Sequence, residues 1–80
     1  MIGNMTNSKR LVHGAAVRAI REALGIKHGE FAISVDITPG YLTNIEAGRK
    51  QPSAEVAVAI AKRLGVPLDA ITYSVEVVAA

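Results

Sequence analysis

Helix starts and stops crowd the middle of this chain. Gly25, Gly48 and Gly65 each follow an apolar-periodic run, while Thr38-Pro39 and Pro52-Ser53 each open one. Glycine supplies the left-handed residue that ends a helix. A serine or threonine hydroxyl accepts a bond from a free backbone N–H at a helix start. Proline at the first helical position lacks an N–H that would have had no partner there. Such punctuation allows only short helices joined by tight turns. Eighty residues make a single domain. A domain this small buries only roughly 60% of the surface its unfolded chain exposes, so loops must be few. Phe31, Tyr41 and Tyr73 are the only aromatic residues in a chain that is 50% apolar. The core must be built from Ala, Val, Ile and Leu, which let helices approach closely.

Periodicity fills in the elements. Residues 1–7 are polar and aperiodic and read as a flexible arm. Asn7 or Ser8 then caps a first helix that runs to Leu24, with Val17, Ile20 and Leu24 at i, i+3, i+7 and Ala16 and Ala23 beside them. Gly14 costs this helix about 1 kcal/mol relative to Ala, so its first turns fray or start late. A second helix runs from His28 to Val35 with Phe31, Ala32 and Val35 inward, and Asp36-Ile37-Thr38 is a turn. Thr38 caps a third helix, Pro39 to Ala47, held to the core by Leu42 and Ile45. Arg49-Lys50-Gln51-Pro52 is an exposed basic loop. Ser53 caps a fourth helix with Val56, Ala57, Ile60, Ala61 and Leu64 inward. Glu55 sits in its first turn, where the helix dipole favours negative charge. Pro67 to Ile71 is one last helical turn. From Thr72 to Val78 the period changes to an alternation, which predicts a strand with Tyr73, Val75 and Val77 on one face. Nothing else in the chain reads as a strand. The expectation is an all-α fold of five helices over residues 8–71, followed by a tail, residues 72–80, containing a β-strand.

Charge and chemistry narrow the function. Residues 1–50 hold seven of the nine basic side chains and four of the seven acidic ones. The N-terminal part is therefore the polyanion-facing side, although a solvated basic face looks the same by charge alone. Cysteine is absent, which removes disulfides and thiolate sites and fits a reducing cytoplasm. No run reaches the roughly 18 apolar residues of a membrane span, and Met1 to Arg10 lack the apolar core of a secretory signal. His13 and His28 fall on different helices with no metal-ligand spacing, and a zinc site needs three or four ligands. Glu30 reads as solvated. No Ser-His-Asp order and no glycine-rich phosphate loop appears. Neither an enzyme, a metal, a cofactor nor a small-molecule ligand is expected.

Two short helices joined by a tight turn form a helix-turn-helix, whose first helix crosses a DNA backbone and whose second enters the major groove. The outward residues of that second helix are Pro39, Gly40, Tyr41, Thr43, Asn44 and Ala47. The sequence at this point resembles the Cro and phage-repressor (XRE-like) helix-turn-helix family. The resemblance is carried by Phe31-Ala32, Ile37-Thr38, Tyr41 through Arg49 and Pro52-Ser53, with Val17 to Arg21 upstream and Ala59 to Val66 and Asp69 to Ile71 downstream. It covers roughly residues 14–71.

What the resemblance implies is a five-helix, lambda-repressor-like domain that binds double-stranded DNA as a homodimer and regulates transcription in a bacterial cytoplasm, from a bacterial or phage gene. Pro39, Gly40, Tyr41 and Asn44 fall at the base-reading positions. Pro39 and Gly40 lack side-chain donors, which leaves Asn44, able to pair bidentately with adenine, as the best base reader. His28 stands where relatives often carry a phosphate-binding Gln. Arg18, Lys27, Thr38, Thr43, Arg49 and Lys50 complete the phosphate candidates, although Arg49 and Lys50 also fit a solvated loop. Arg21 and Glu46 match an ion pair that links the first and third helices. Tyr73, Val75 and Val77 either fold back on the core or pair with a second copy, because a lone strand edge seeks another strand. A protein-interaction module or antitoxin-like adaptor on the same fold is the alternative function.

Overall fold

The punctuation of the sequence becomes the helix ends. The computed structural model describes residues 6–78. Strand β1 (Thr6–Val12) leads into α1 (Gly14–Ala23), α2 (His28–Ser34), α3 (Pro39–Glu46) and α4 (Ala54–Leu64). A 3-10 turn (Leu68–Ile71) and strand β2 (Thr72–Val78) follow. Thr38 and Ser53 cap α3 and α4 through their hydroxyl oxygens, which accept from the N–H groups of Tyr41 (3.0 Å) and Val56 (3.2 Å). Gly65 ends α4 at φ 72°, in the left-handed region. In the turn between α2 and α3 the left-handed position falls to Asp36 at φ 62°. Asp tolerates that geometry better than most side chains, which lets the turn close without glycine.

Val17, Phe31, Leu42, Ile45, Ile60 and Ile71 are fully buried at the centre. Each contributes about 1.5–3 kcal/mol on leaving water. The inward residues predicted for α2, α3 and α4 are the ones that pack here, with Val56 and Ile20 half-buried at the margin. Leu24, expected on the inward stripe of α1, is 53% exposed, because α1 stops at Ala23 and Leu24 is its C-cap.

Three sequence expectations fail at the ends. The fold is not all-α, because a two-stranded sheet accompanies four α-helices. The fifth helix is a four-residue 3-10 turn. The first helix does not start at Asn7 or Ser8, since residues 6–12 form a strand. Residues 1–5 and 79–80 lie outside the described residues. β1 and β2 run antiparallel, with Leu11 opposite Tyr73, Lys9 opposite Val75 and Asn7 opposite Val77. The predicted strand thus finds its partner in its own chain, in a segment with no alternating pattern of its own. Helix α1 is capped instead by His13, whose Nδ1 accepts from the Ala16 N–H at 3.1 Å. A hydrogen bond from the His13 N–H to the Ile71 carbonyl (2.7 Å) closes the base of the ribbon.

Gly14 explains why α1 begins where it does. It is buried, and a Cβ there would lie 2.0 Å from the Ile45 carbonyl oxygen and 2.9 Å from that of Glu46. The start of α1 therefore touches the backbone at the end of α3. Helix propensity alone predicts that Gly14→Ala stabilises the fold by about 1 kcal/mol. The contact predicts the opposite sign, a loss of about 3 kcal/mol in urea denaturation, because backbone cannot rotate away as a side chain can.

Candidate nucleic-acid interface

Two helices set α3 in place. Leu42 and Ile45 sink its inner side into the core, and Arg21 of α1 grips its end. Arg21 Nε donates to Glu46 Oε2 at 2.8 Å and Arg21 Nη2 to Glu46 Oε1 at 3.2 Å. This is a bidentate fork between side chains only 8% and 7% exposed. A third bond, from Arg21 Nη1 to the Ile26 carbonyl (2.9 Å), ties in the turn before α2. The hydrogen bonds to Glu46 raise the Arg21 pKa above its ordinary value against the opposing effect of burial. The pair expected from the sequence is thus present and lies at the crossing of α1 and α3.

The face left open by this packing begins at the N-terminus of α3. Thr38, Pro39 and Gly40 are exposed there, and Thr38 is engaged as the helix cap. Tyr41 is half-buried against the core. One turn on, Thr43 donates to the Pro39 carbonyl (3.0 Å) and sits 3.2 Å from His28 Nε2. The Thr43 hydroxyl and His28 Nε2 thus lie within hydrogen-bonding distance, which positions the ring at the first residue of α2. Lys27, immediately before α2, and Lys50 in the loop after α3 are exposed.

Asn44 has a role that spacing did not reveal. Its side-chain oxygen accepts from Arg49 Nε at 3.1 Å, and its backbone carbonyl accepts from the N–H groups of Arg49 (2.9 Å) and Lys50 (3.2 Å). The residue singled out as a base reader also holds the basic loop against α3. Its amide NH2 remains a donor, and its oxygen keeps a second lone pair.

Arg18, His28, Thr43 and Arg49 are brought around one open cleft of about 360 Å³, with Arg21 and Glu46 at its floor. Arg18 pairs across one helical turn with Glu22 at 3.1 Å, both ends exposed. The Arg21 charge is balanced by Glu46. The Arg49 guanidinium, with no carboxylate partner among the described residues, remains as the anion-facing charge, with the His28 ring beside it. The cleft has the size and charge to seat a phosphate. Among the described residues no His, Cys, Asp and Glu cluster suits a metal, and no helix is long and apolar enough to cross a membrane.

Gln51 is a further residue that sequence reasoning passed over. Its carboxamide accepts from the Val12 N–H (2.8 Å) and donates to the Val12 carbonyl (3.0 Å), in the manner of a third strand. It links the basic loop to the foot of the ribbon. Arg10 is committed to Asp69 and to the Thr72 hydroxyl. Tyr73 meets the His13 ring edge-on, with centroids 5.9 Å apart. These contacts join residues far apart in sequence and carry no periodic signal.

A family model described as "Helix-turn-helix" matches residues 17–71. The transcriptional regulator ClgR of Mycobacterium tuberculosis is 39% identical over 62 residues, which is 78% of this chain and 55% of that protein. The chain thus spans about half the length of the curated relatives it matches. The crystal structure of the clp gene regulator ClgR from Corynebacterium glutamicum superposes with a TM-score of 0.68 at 36% identity, over 70% of this chain and 60% of that one. The P22 c2 repressor, solved with a synthetic operator, shares the fold at 24% identity and a TM-score of 0.69, over 72% of this chain and 88% of the other.

Removing one member of the buried pair strands a charge. Glu46→Ala is expected to cost about 3–5 kcal/mol in chemical denaturation. A double variant, Arg21→Met with Glu46→Leu, is expected to regain most of that loss, because no charge is then left buried.

Proposed function

The chain belongs to the helix-turn-helix family, and from that premise we propose that it is a sequence-specific DNA-binding transcriptional regulator. The observation that carries this reading is the exposed start of α3 standing beside the open cleft lined by Arg18, His28, Thr43 and Arg49. Phosphates lying in and near that cleft fix the register, and α3 then meets base edges in the major groove. The likeness to ClgR, whose name describes a transcriptional regulator, supports the same assignment.

The residues divide the work unevenly. His28, Arg49, Lys50, Arg18 and Lys27 supply phosphate contacts, and Thr43 orients His28 for its own. Thr38 shapes the helix start. Asn44 is the principal base reader, and the Asn44–Arg49 hydrogen bond aligns one base contact with one backbone contact. Pro39 and Gly40 present backbone and van der Waals surface, with no polar side-chain atoms. Tyr41, half-buried, presents only part of its ring. Much of the affinity therefore comes from phosphates and from the shape of the duplex. Two copies on a pseudo-palindrome, with half-sites about one helical turn apart, complete the proposed assembly.

Selection of bound duplexes from a random pool, followed by titration at several salt concentrations, tests this. Arg49→Ala is expected to weaken binding similarly on all sequences and to lower the salt slope by about one charge. Asn44→Ala is expected to cost about 1–3 kcal/mol, to relax preference at one base position and to lower the slope as well, since it releases Arg49. Enrichment of no duplex at low salt would defeat the reading. So would intact regulation in Tyr41→Ala and Asn44→Ala variants, which would favour a protein-interaction role.

A further inference from the structure

Val12 ends β1 and is only 6% exposed, so both polar groups of its backbone call for partners. Its neighbour across the ribbon is Thr72. In an antiparallel pair the N–H and C=O of one residue point together, alternately toward the partner strand and away from it. Both groups of Val12 meet the Gln51 carboxamide, which accepts from the N–H and donates to the carbonyl. Val12 therefore faces away from β2, and the Gln51 side chain closes the outer edge of β1. One residue on, the His13 N–H turns back to the Ile71 carbonyl.

Gln51 belongs to the loop that carries Arg49 and Lys50 from α3 to α4. The first part of that loop is bound to α3. The Asn44 carbonyl accepts from the N–H groups of Arg49 and Lys50, and the Asn44 side chain accepts from Arg49 Nε. The last part is bound to α4, where Ser53 caps the helix behind Pro52, whose ring fixes φ. Between those two anchors Gln51 supplies a third, and it is made to the ribbon. The two cations differ in what holds them. The Arg49 guanidinium has Asn44 as a guide. Lys50 is exposed, and its ammonium has no carboxylate partner among the described residues. The direction in which Lys50 leaves the surface is set by the backbone on either side of it, at Arg49 and at Gln51.

From this geometry, and resting on the DNA-binding reading, we propose that Gln51 is a positioning residue for duplex binding: through its two bonds to Val12, the β-ribbon sets the backbone from which Lys50 reaches a phosphate. Gln51 itself touches no DNA. When the foot of the ribbon opens, Gln51 is released and the loop gains arrangements that turn Lys50 away. The coupling is reciprocal, so a bound duplex holds the loop and with it the Gln51–Val12 bonds. A two-stranded ribbon is marginal by itself. Whatever steadies or opens it therefore changes affinity for DNA without touching the DNA-facing surface.

Gln51→Met nearly keeps the length of the side chain and removes both bonds. Full-length chains are titrated with a duplex carrying one selected half-site, at several salt concentrations and at a temperature where circular dichroism shows each to be folded. A single half-site keeps the measurement independent of any second copy. Gln51→Met is expected to weaken binding on the order of 5- to 10-fold and to lower the salt slope by about one charge, although no charge has been removed. Lys50→Ala should do the same, and the double variant should be no weaker than either alone. Lys27→Ala, which shares no partner with Gln51, should add in full to Gln51→Met. A bond that only stabilises the fold would leave the salt slope where it was.

The second measurement needs no variant. The Val12 amide has Gln51 as its acceptor, so its hydrogen exchange reports the bond in the unmodified chain. That exchange is expected to slow several-fold when the half-site duplex is added. An unchanged salt slope in folded Gln51→Met overturns the proposal, as do losses from Gln51→Met and Lys50→Ala that add in full. Unchanged exchange at Val12 overturns it as well, even where Gln51→Met does not fold. In each of these cases binding by the unmodified chain shows that the DNA reading stands and only the positioning has failed. An unmodified chain that binds no duplex at low salt removes both.

Discussion

A carboxylate and a guanidinium, both almost wholly out of water, hold the structure to one arrangement. Arg21 and Glu46 meet as a bidentate pair between α1 and α3, with a third bond from Arg21 to the Ile26 carbonyl. Burying two charges carries a desolvation penalty that only good geometry offsets. Small rotations of α3 relative to α1 would break the fork and leave both charges unpaired. The pair acts together with a steric contact at the other end of α1, where Gly14 meets the Ile45 and Glu46 carbonyls. An electrostatic clasp and a backbone contact thus fix both the angle and the distance at which α3 is presented.

That presentation organises the surface around it. With Leu42 and Ile45 committed inward, Thr43 and Asn44 must lie along the open side, and each has a polar neighbour there. Thr43 steadies His28 and Asn44 steadies Arg49, so the polar groups at the cleft are anchored through α3 itself. Pre-set groups of this sort lose less side-chain entropy on meeting a phosphate than free lysines would. Gln51 extends the same framework to the ribbon by binding both polar groups of Val12. The helix, the basic loop and the strand form one connected hydrogen-bonded path.

Much of the helical part was legible in the residues. Thr38-Pro39, Ser53 and Gly65 act through local backbone chemistry, and each stands at the helix end it predicted. The inward residues of α2, α3 and α4 follow from a period of 3.6 and appear in the core. The Arg21–Glu46 pair came from the resemblance to phage repressors and was found in place. The first strand was not legible. Lys9 and Arg10 break any alternation, and nothing local favours a strand over a frayed helix between Thr6 and Val12. Its conformation depends on β2, at the far end of the chain.

The division between sequence and tertiary structure follows the range of the forces involved. Caps, stops and apolar periodicity act within a few residues. They determined by themselves where α2, α3, α4 and β2 lie and that α2 and α3 form two short helices joined by a tight turn. Pairing of β1 with β2, the bonds of Gln51 to Val12, and the meaning of Gly14 arise only once distant segments touch. Gly14 shows the difference most directly. In sequence it is a weak helix residue. In the fold it is where α1 lies against the backbone of α3, so closely that a single methyl group would collide with a carbonyl oxygen.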